Sequence, residues 1–196
     1  MITRTEIQEN KPGLVLVFSL LSLIVLTATV PKIQAKAWAG SDIAREYRIK
    51  AAFIYNFAKF VHWPDNAFPE KDSPLVLCIM GEDPFGDALD MLKGKTVRGR
   101  PLRILKVSQI AHLPTCHIVF VASSQHALLP GYLEKLRGRP ILTVSDIPGF
   151  ASLGGAIGFF MVNERIRFEI NRKAAEVNGL QISSQLMKLA RIIGEH

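Results

Sequence analysis

Between Arg165 and Ile170 the chain alternates cleanly, with Arg165, Arg167 and Glu169 on one side and Ile166, Phe168 and Ile170 on the other. A period of two predicts a strand with one face in a core. A second apolar stretch starts at Ala156, so Ala156 to Ile170 reads as an antiparallel hairpin. The glycine-punctuated loop Pro148 to Gly155 precedes it. Gly154 and Gly155 stand where that loop turns into strand, a place where backbone angles closed to residues with a Cβ are often needed.

Upstream, the pattern changes period. Asp42 to Trp63 lacks glycine and proline and is closed by Pro64, which predicts a helix of about six turns. Its polar positions Arg45, Arg48, Asn56, Lys59 and His62 recur at helical steps and form one narrow stripe. Most of the rest is apolar or aromatic, so this reads as the principal core helix, with spare aromatic area for a dimer contact. Leu75 to Met80, Cys116 to Ala122 and Ile141 to Val144 are short continuous apolar runs, as in strands buried on both faces. Lys95 to Val97 and Leu102 to Val107 flank a turn at Arg98-Gly99-Arg100-Pro101.

Helices are expected from Pro84 to Lys93, capped by Asp83 and stopped by Gly94, and from Gln125 to Arg137, capped by Ser123 or Ser124. Asn171 caps a short helix that Gly179 ends, and a last helix runs from Ser183 to Ile193 with Leu186, Leu189, Ala190 and Ile193 inward. Strand, helix, strand in so short a span favours parallel pairing. The expected fold class is α/β: one domain with a mixed sheet, a parallel core plus the antiparallel C-terminal hairpin, flanked by helices.

The first 39 residues differ in kind. Arg4 and Lys11 precede eighteen uncharged residues, Gly13 to Val30, and small residues follow at Ala35, Ala37 and Ala39. Residues 1–39 therefore read as an export signal, with an uncleaved anchor as the alternative, and residues 40–196 as a domain outside the cytoplasm. The whole chain carries +7, and removing Arg4, Lys11, Lys32 and Lys36 together with Glu6 and Glu9 leaves +5.

Charge is unevenly placed: no acidic residue occurs from Met91 to Leu133, while Lys93, Lys95, Arg98, Arg100, Arg103 and Lys106 cluster. A solvated face is the plainer reading; an anion site at Arg98, Arg100 and Arg103 is the sharper one. Aromatics are absent from the cluster, so a nucleic-acid partner is not expected.

Candidate chemistry is sparse. Gly81 and Gly86 have the outer spacing of a phosphate loop, but no Lys-Ser/Thr follows and Glu82, Asp83 and Asp87 would repel a phosphate. Ser145-Asp146 lacks the glycines of a nucleophile elbow. The two cysteines, Cys78 and Cys116, suggest a disulfide in an exported protein. Zinc held by these cysteines with His112 and His117 is less favoured, because neighbours in a strand point to opposite faces. No catalytic residue, metal or cofactor is expected.

Ile49-Lys50-Ala51-Ala52-Phe53-Ile54-Tyr55-Asn56-Phe57-Ala58-Lys59-Phe60-Val61-His62-Trp63-Pro64 resembles the opening helix of the YfiR family of periplasmic regulators. Gly81-Glu82-Asp83-Pro84-Phe85-Gly86, Cys116-His117-Ile118-Val119-Phe120, Ile141-Leu142-Thr143-Val144-Ser145-Asp146, Gly154-Gly155-Ala156-Ile157 and Arg167-Phe168-Glu169-Ile170-Asn171 continue the likeness. It ends in Leu180 to Ala190.

The resemblance implies a non-enzymatic, dimeric periplasmic repressor. Its partner would be the sensory domain of an inner-membrane diguanylate cyclase or another membrane sensor, with an outer-membrane lipoprotein able to sequester it. The expected outcome is lowered cyclic di-GMP and restrained biofilm formation. The alternative is a small-molecule or anion-binding module serving another sensor. Some members carry a second cysteine pair near the hairpin; here Ser152 and Phe159 stand there, so redox control through the hairpin is not expected. Arg165, Arg167 and Glu169 are the candidate partner-binding residues.

Overall fold

Leu75–Met80 is buried at all six positions, and the sheet is assembled outward from it. The computed structural model describes residues 31–194. Helix α1 spans Pro31–Phe60. The strands are β1 (Val61–His62), β2 (Leu75–Met80), β3 (Thr96–Val97), β4 (Arg100–Val107), β5 (Ile118–Val121), β6 (Leu142–Ser145), β7 (Ile157–Val162), β8 (Arg165–Asn171), β9 (Gln181–Ile182) and β10 (Arg191–Ile193). Helices α2 (Leu129–Leu136), α3 (Arg172–Val177) and α4 (Ser184–Met187) lie between them. Ala44–His196 forms one compact unit; the preceding unit, Met1–Ile43, is described only from Pro31. Residues 1–30, most of the expected export signal, thus lie outside the described residues.

The main sheet has eight strands in the order β10-β8-β7-β6-β5-β2-β4-β3. From β4 through β7 every neighbour is parallel, and β7 and β8 form the expected antiparallel hairpin. The expected fold class is therefore observed. Alternate side chains divide between two cores, as a pleated strand requires. Leu77, Ile79, Phe120 and Val144 join Ala51, Ile54 and Phe57 of α1 on one face. Cys78, Met80, Val119 and Val121 join Leu129 and Leu136 of α2 on the other.

Cys78 and Cys116 are joined by a disulfide in this second core, their Cα atoms 5.9 Å apart. The bridge closes 38 residues of sequence separation, a constraint on the unfolded chain of roughly 3 to 4 kcal/mol. Both sulfurs are thereby removed from any zinc set, and the described residues contain no group of three or more potential metal ligands.

Several boundaries differ from expectation. The helix ends at Phe60, and Val61–His62 instead pairs antiparallel with Gln181–Ile182. Gly86–Leu92 and Ser123–Leu128 are tight 3-10 turns, the latter leading into α2. Asp83 accepts from the Phe85 N–H at 2.8 Å, so it closes a turn rather than capping an α-helix. Ser124 Oγ accepts from the Glu82 N–H across 42 residues, not from its own helix. The expected final helix is reduced to α4, capped by Ser183, and Arg191–Ile193 becomes a strand parallel to β8. Leu189, expected inward, is 71% exposed. The open edge of β8 offers three residues of ladder pairing, which outweighs continued helical periodicity over so short a segment. Asn171 caps α3 as expected, accepting from the Ala174 N–H.

The two hairpin glycines serve different ends. Gly154 has φ +105°, open to glycine and strained for other residues. Gly155 provides space: a Cβ there would lie 2.1 Å from the ring of Phe150, which is fully buried. Gly155→Ala should therefore cost about 2 kcal/mol or more in a urea titration, since the ring has no solvent to yield into. Reduction of Cys78–Cys116 should lower stability by about 3 to 4 kcal/mol, read by comparing denaturation with and without reductant.

Candidate functional site

The tip of the β7–β8 hairpin is a two-residue turn at Asn163 and Glu164, with φ +49° and +59°. Two left-handed residues make a turn whose twist matches that of the strands it joins. The register sets Phe160 opposite Arg167 and Val162 opposite Arg165, so these four share one face. Gly158 and Glu169 continue that face inward. Arg165 and Arg167 are exposed, whereas Glu169 is 4% exposed. Its carboxylate receives the Arg191 guanidinium from β10, which also stands 4.0 Å above the Phe160 ring. A Cβ on Gly158 would meet Glu169 Oε1 at 3.2 Å, so the glycine makes room for that carboxylate. The hairpin face thus presents Arg165, Arg167 and the Phe160 ring, joined by Arg191 of β10, with Glu169 as the buried support of Arg191.

Beside it, at the carboxyl end of β6, lies a buried ionic cluster. Lys50 Nζ donates to Asp146 Oδ2 and pairs with Glu46 Oε1, each at 2.5 Å, and the Lys50 side chain is only 5% exposed. Tyr47 Oη donates to the same Asp146 oxygen at 2.8 Å. Burial, then the bond to Asp146, holds the Tyr47 hydroxyl well above its ordinary range, so it stays a donor. Asp146 Oδ1 is buried without a hydrogen-bond partner among the described residues. A cavity of about 360 Å³ opens here, walled by Tyr47, Phe159, Phe160 and Met161. Open α/β sheets commonly place such crevices at the carboxyl ends of their strands.

The basic run does not converge on a site. Arg98 donates to the Lys59 carbonyl at the end of α1, at 2.9 and 3.3 Å. Arg100 donates to the carbonyls of Glu70 and Ser73 and lies 3.8 Å over the Phe68 ring, which stacks on His117. Only Arg103 of the three projects without such a bond. His117 Nδ1 accepts from the Val76 N–H at 3.1 Å, so its other nitrogen is the donor to the Ala67 carbonyl. Ser145, buried, donates to the Val121 carbonyl and accepts from the Ile147 N–H. It is a structural hydroxyl rather than a poised nucleophile.

Lys50, Tyr47, Phe160 and Arg191 were not among the residues expected to form a site. Lys50 had a readable signal, since it occupies the same helical stripe as Ile54, Phe57 and Val61. Arg191 had none, because its place depends on the strand that replaced the expected helix.

The described residues thus form a mixed α/β sheet with a cationic hairpin face, in which Ser145 and His117 are engaged in structural bonds. The chain belongs to the YfiR/HmsC-like family, whose sequence model matches residues 47–191. That span runs from Tyr47 to Arg191 and so includes Tyr47, Lys50 and Asp146 of the ionic cluster, though not Glu46, and the hairpin. The family is one of periplasmic regulators of diguanylate cyclase signalling rather than of catalysts. Among the described residues no helix is long and apolar enough to cross a membrane.

Lys50→Met should lower stability by about 3 to 5 kcal/mol, because it leaves Asp146 charged and uncompensated in a buried place. Adding Asp146→Asn should restore part of that loss, a coupling that a double-mutant cycle in urea measures. His117 is predicted to set an acid limit. Burial, with Arg100 assisting against the opposing Ala67 bond, pushes it below its ordinary 6.5. Between the folded and unfolded values the unfolded chain binds more protons, so this contribution is full above about pH 6.5 and fades as pH falls through that window. The urea midpoint should fall on acidification from about pH 7.5 to 5.5, less steeply in His117→Asn.

Proposed function

We propose that this chain is an exported periplasmic repressor that binds the sensory domain of an inner-membrane diguanylate cyclase and holds it inactive, lowering cyclic di-GMP. Membership of a regulator family over residues 47–191 is the observation that carries the reading. The disulfide suits an oxidising compartment. Export is assigned to residues 1–39, and the regulator is residues 40–196. It acts without catalysis or cofactor, as a homodimer, and an outer-membrane lipoprotein is its antagonist in the envelope.

The docking surface is the outer face of β7–β8. Arg165 and Arg167 supply exposed charge, Phe160 and Val162 supply apolar area, and Glu169 acts from beneath by fixing Arg191 over Phe160. Arginine and aromatic groups are the side chains that most often anchor protein interfaces. The alternative anion site at Arg98, Arg100 and Arg103 has less support, because two of the three guanidinium groups are bonded to backbone carbonyls.

A strain lacking the protein should contain more cyclic di-GMP than its parent; equal levels in a parent that expresses the protein would remove the cyclase reading. The Arg165→Glu/Arg167→Glu variant should fold normally and bind the solubilised sensor roughly tenfold or more weakly. Pull-down from solubilised envelope with wild-type and variant bait tests partner and surface together.

A further inference from the structure

At the end of the sheet opposite the hairpin, β4 has an edge that β3 covers only at its start. The two pair at Thr96 with Pro101 and Val97 with Arg100, and the Leu102 N–H reaches the Lys95 carbonyl at 2.9 Å. Farther along, the direction of each peptide group follows from one bond. The Val107 carbonyl accepts from the Gly81 N–H, so Val107 faces β2. Peptide groups of successive strand residues face opposite edges, which turns Arg103 and Leu105 toward β2 and Leu102, Ile104 and Lys106 away from it. Leu102 is satisfied by Lys95. Among the described residues, Ile104 and Lys106 have no backbone partner on their outer side.

Arg103 and Lys106 carry positive charge along this edge. Arg103 is exposed and makes no ion pair among the described residues, and Leu105 is 38% exposed. Lys106 is 70% exposed and is held toward the sheet by Asp83 at 2.8 Å. No acidic residue lies in the sequence from Met91 to Leu133. Charged residues on an edge discourage pairing with a second copy. Two-fold antiparallel pairing of β4 centred on Arg103, or on Lys106, would set that cation against its own counterpart, and like charges facing across strands are destabilising. A strand bearing carboxylates meets the opposite situation: open donors and acceptors at Ile104 and Lys106, the cation of Arg103 beside them, and an apolar contact at Leu105.

We propose that the outer edge of β4 is a docking site for an extended acidic segment of a partner protein, which adds to the sheet as a further strand. The site is separate from the β7–β8 face and does not depend on it. Backbone bonding supplies the attachment, and Arg103 selects for acidic sequence.

The test uses short acetylated peptides alternating glutamate with valine, or lysine with valine, added to the disulfide-intact protein. The glutamate peptide should slow exchange of the Ile104 and Lys106 amides by about tenfold or more, and the lysine peptide should not. Ile104→Pro removes an outward N–H without touching the β2 ladder and should abolish binding, with a lower melting midpoint because Ile104 also packs against the first core. Arg103→Glu, at an exposed side chain, should weaken the glutamate peptide roughly tenfold, and this variant decides the matter should Ile104→Pro fail to fold. Absence of glutamate-peptide binding, equal binding of the two peptides, or undiminished binding by Arg103→Glu would overturn the proposal. So would Ile104→Pro dissociating a dimer of the free protein, which would assign the edge to a second copy.

Discussion

A parallel sheet in water has to be covered on both faces, and the run from β4 to β7 is parallel throughout. Helix α1 meets that demand on one side. Phe57 lies 5.6 Å from Phe159 and 5.0 Å from Phe168, ring centre to ring centre, and Phe53 lies 5.5 Å from Phe168. The helix therefore belongs to the same core as the hairpin. On the other side, α2 and the loop carrying Phe150 cover the strands, with the Cys78–Cys116 bridge inside that layer. The charged face of the hairpin is held rigid because its other face, through Phe159, Phe168 and Ile170, is committed to α1.

Polar groups inside this frame act mainly as fasteners. Lys50 and Asp146 join α1 to the end of β6, and desolvating them is offset only while both are present. Arg100, Phe68 and His117 form a stack that pins the loop between α1 and β2. Thr143 Oγ1 accepts from the Ala156 N–H and so closes the entry to β7. Such pairings account for chemistry-bearing residues that would otherwise invite a catalytic reading. The surfaces proposed for docking lie outside this interior, on the β7–β8 face and along the β4 edge.

These two surfaces differ in what they offer. The β7–β8 face presents side chains, with arginines arrayed around Phe160 over a buried carboxylate. The β4 edge presents backbone, with cations alongside it.

Local pattern carried much of this protein. Strict alternation from Arg165 to Ile170, continuous apolar runs at β2, β5 and β6, and glycine or proline punctuation specify one- or two-sided burial, and burial is what a strand's sequence encodes. The pairing of the only two cysteines was likewise legible from their number and the expected compartment. Three things were not. The segment after Ser183 has a helical period but becomes β10, because the unpaired edge of β8 lies beside it, and only the folded sheet creates that edge. Glu169 alternates with exposed arginines yet is buried, because Arg191 arrives from that same unexpected strand. The basic run from Arg98 to Lys106 reads as one patch, but tertiary packing sends Arg98 and Arg100 to separate carbonyls and leaves Arg103 outward. Period and composition determine which residues can be covered; which charge finds a partner depends on chain segments distant in sequence, and that only the tertiary structure decided.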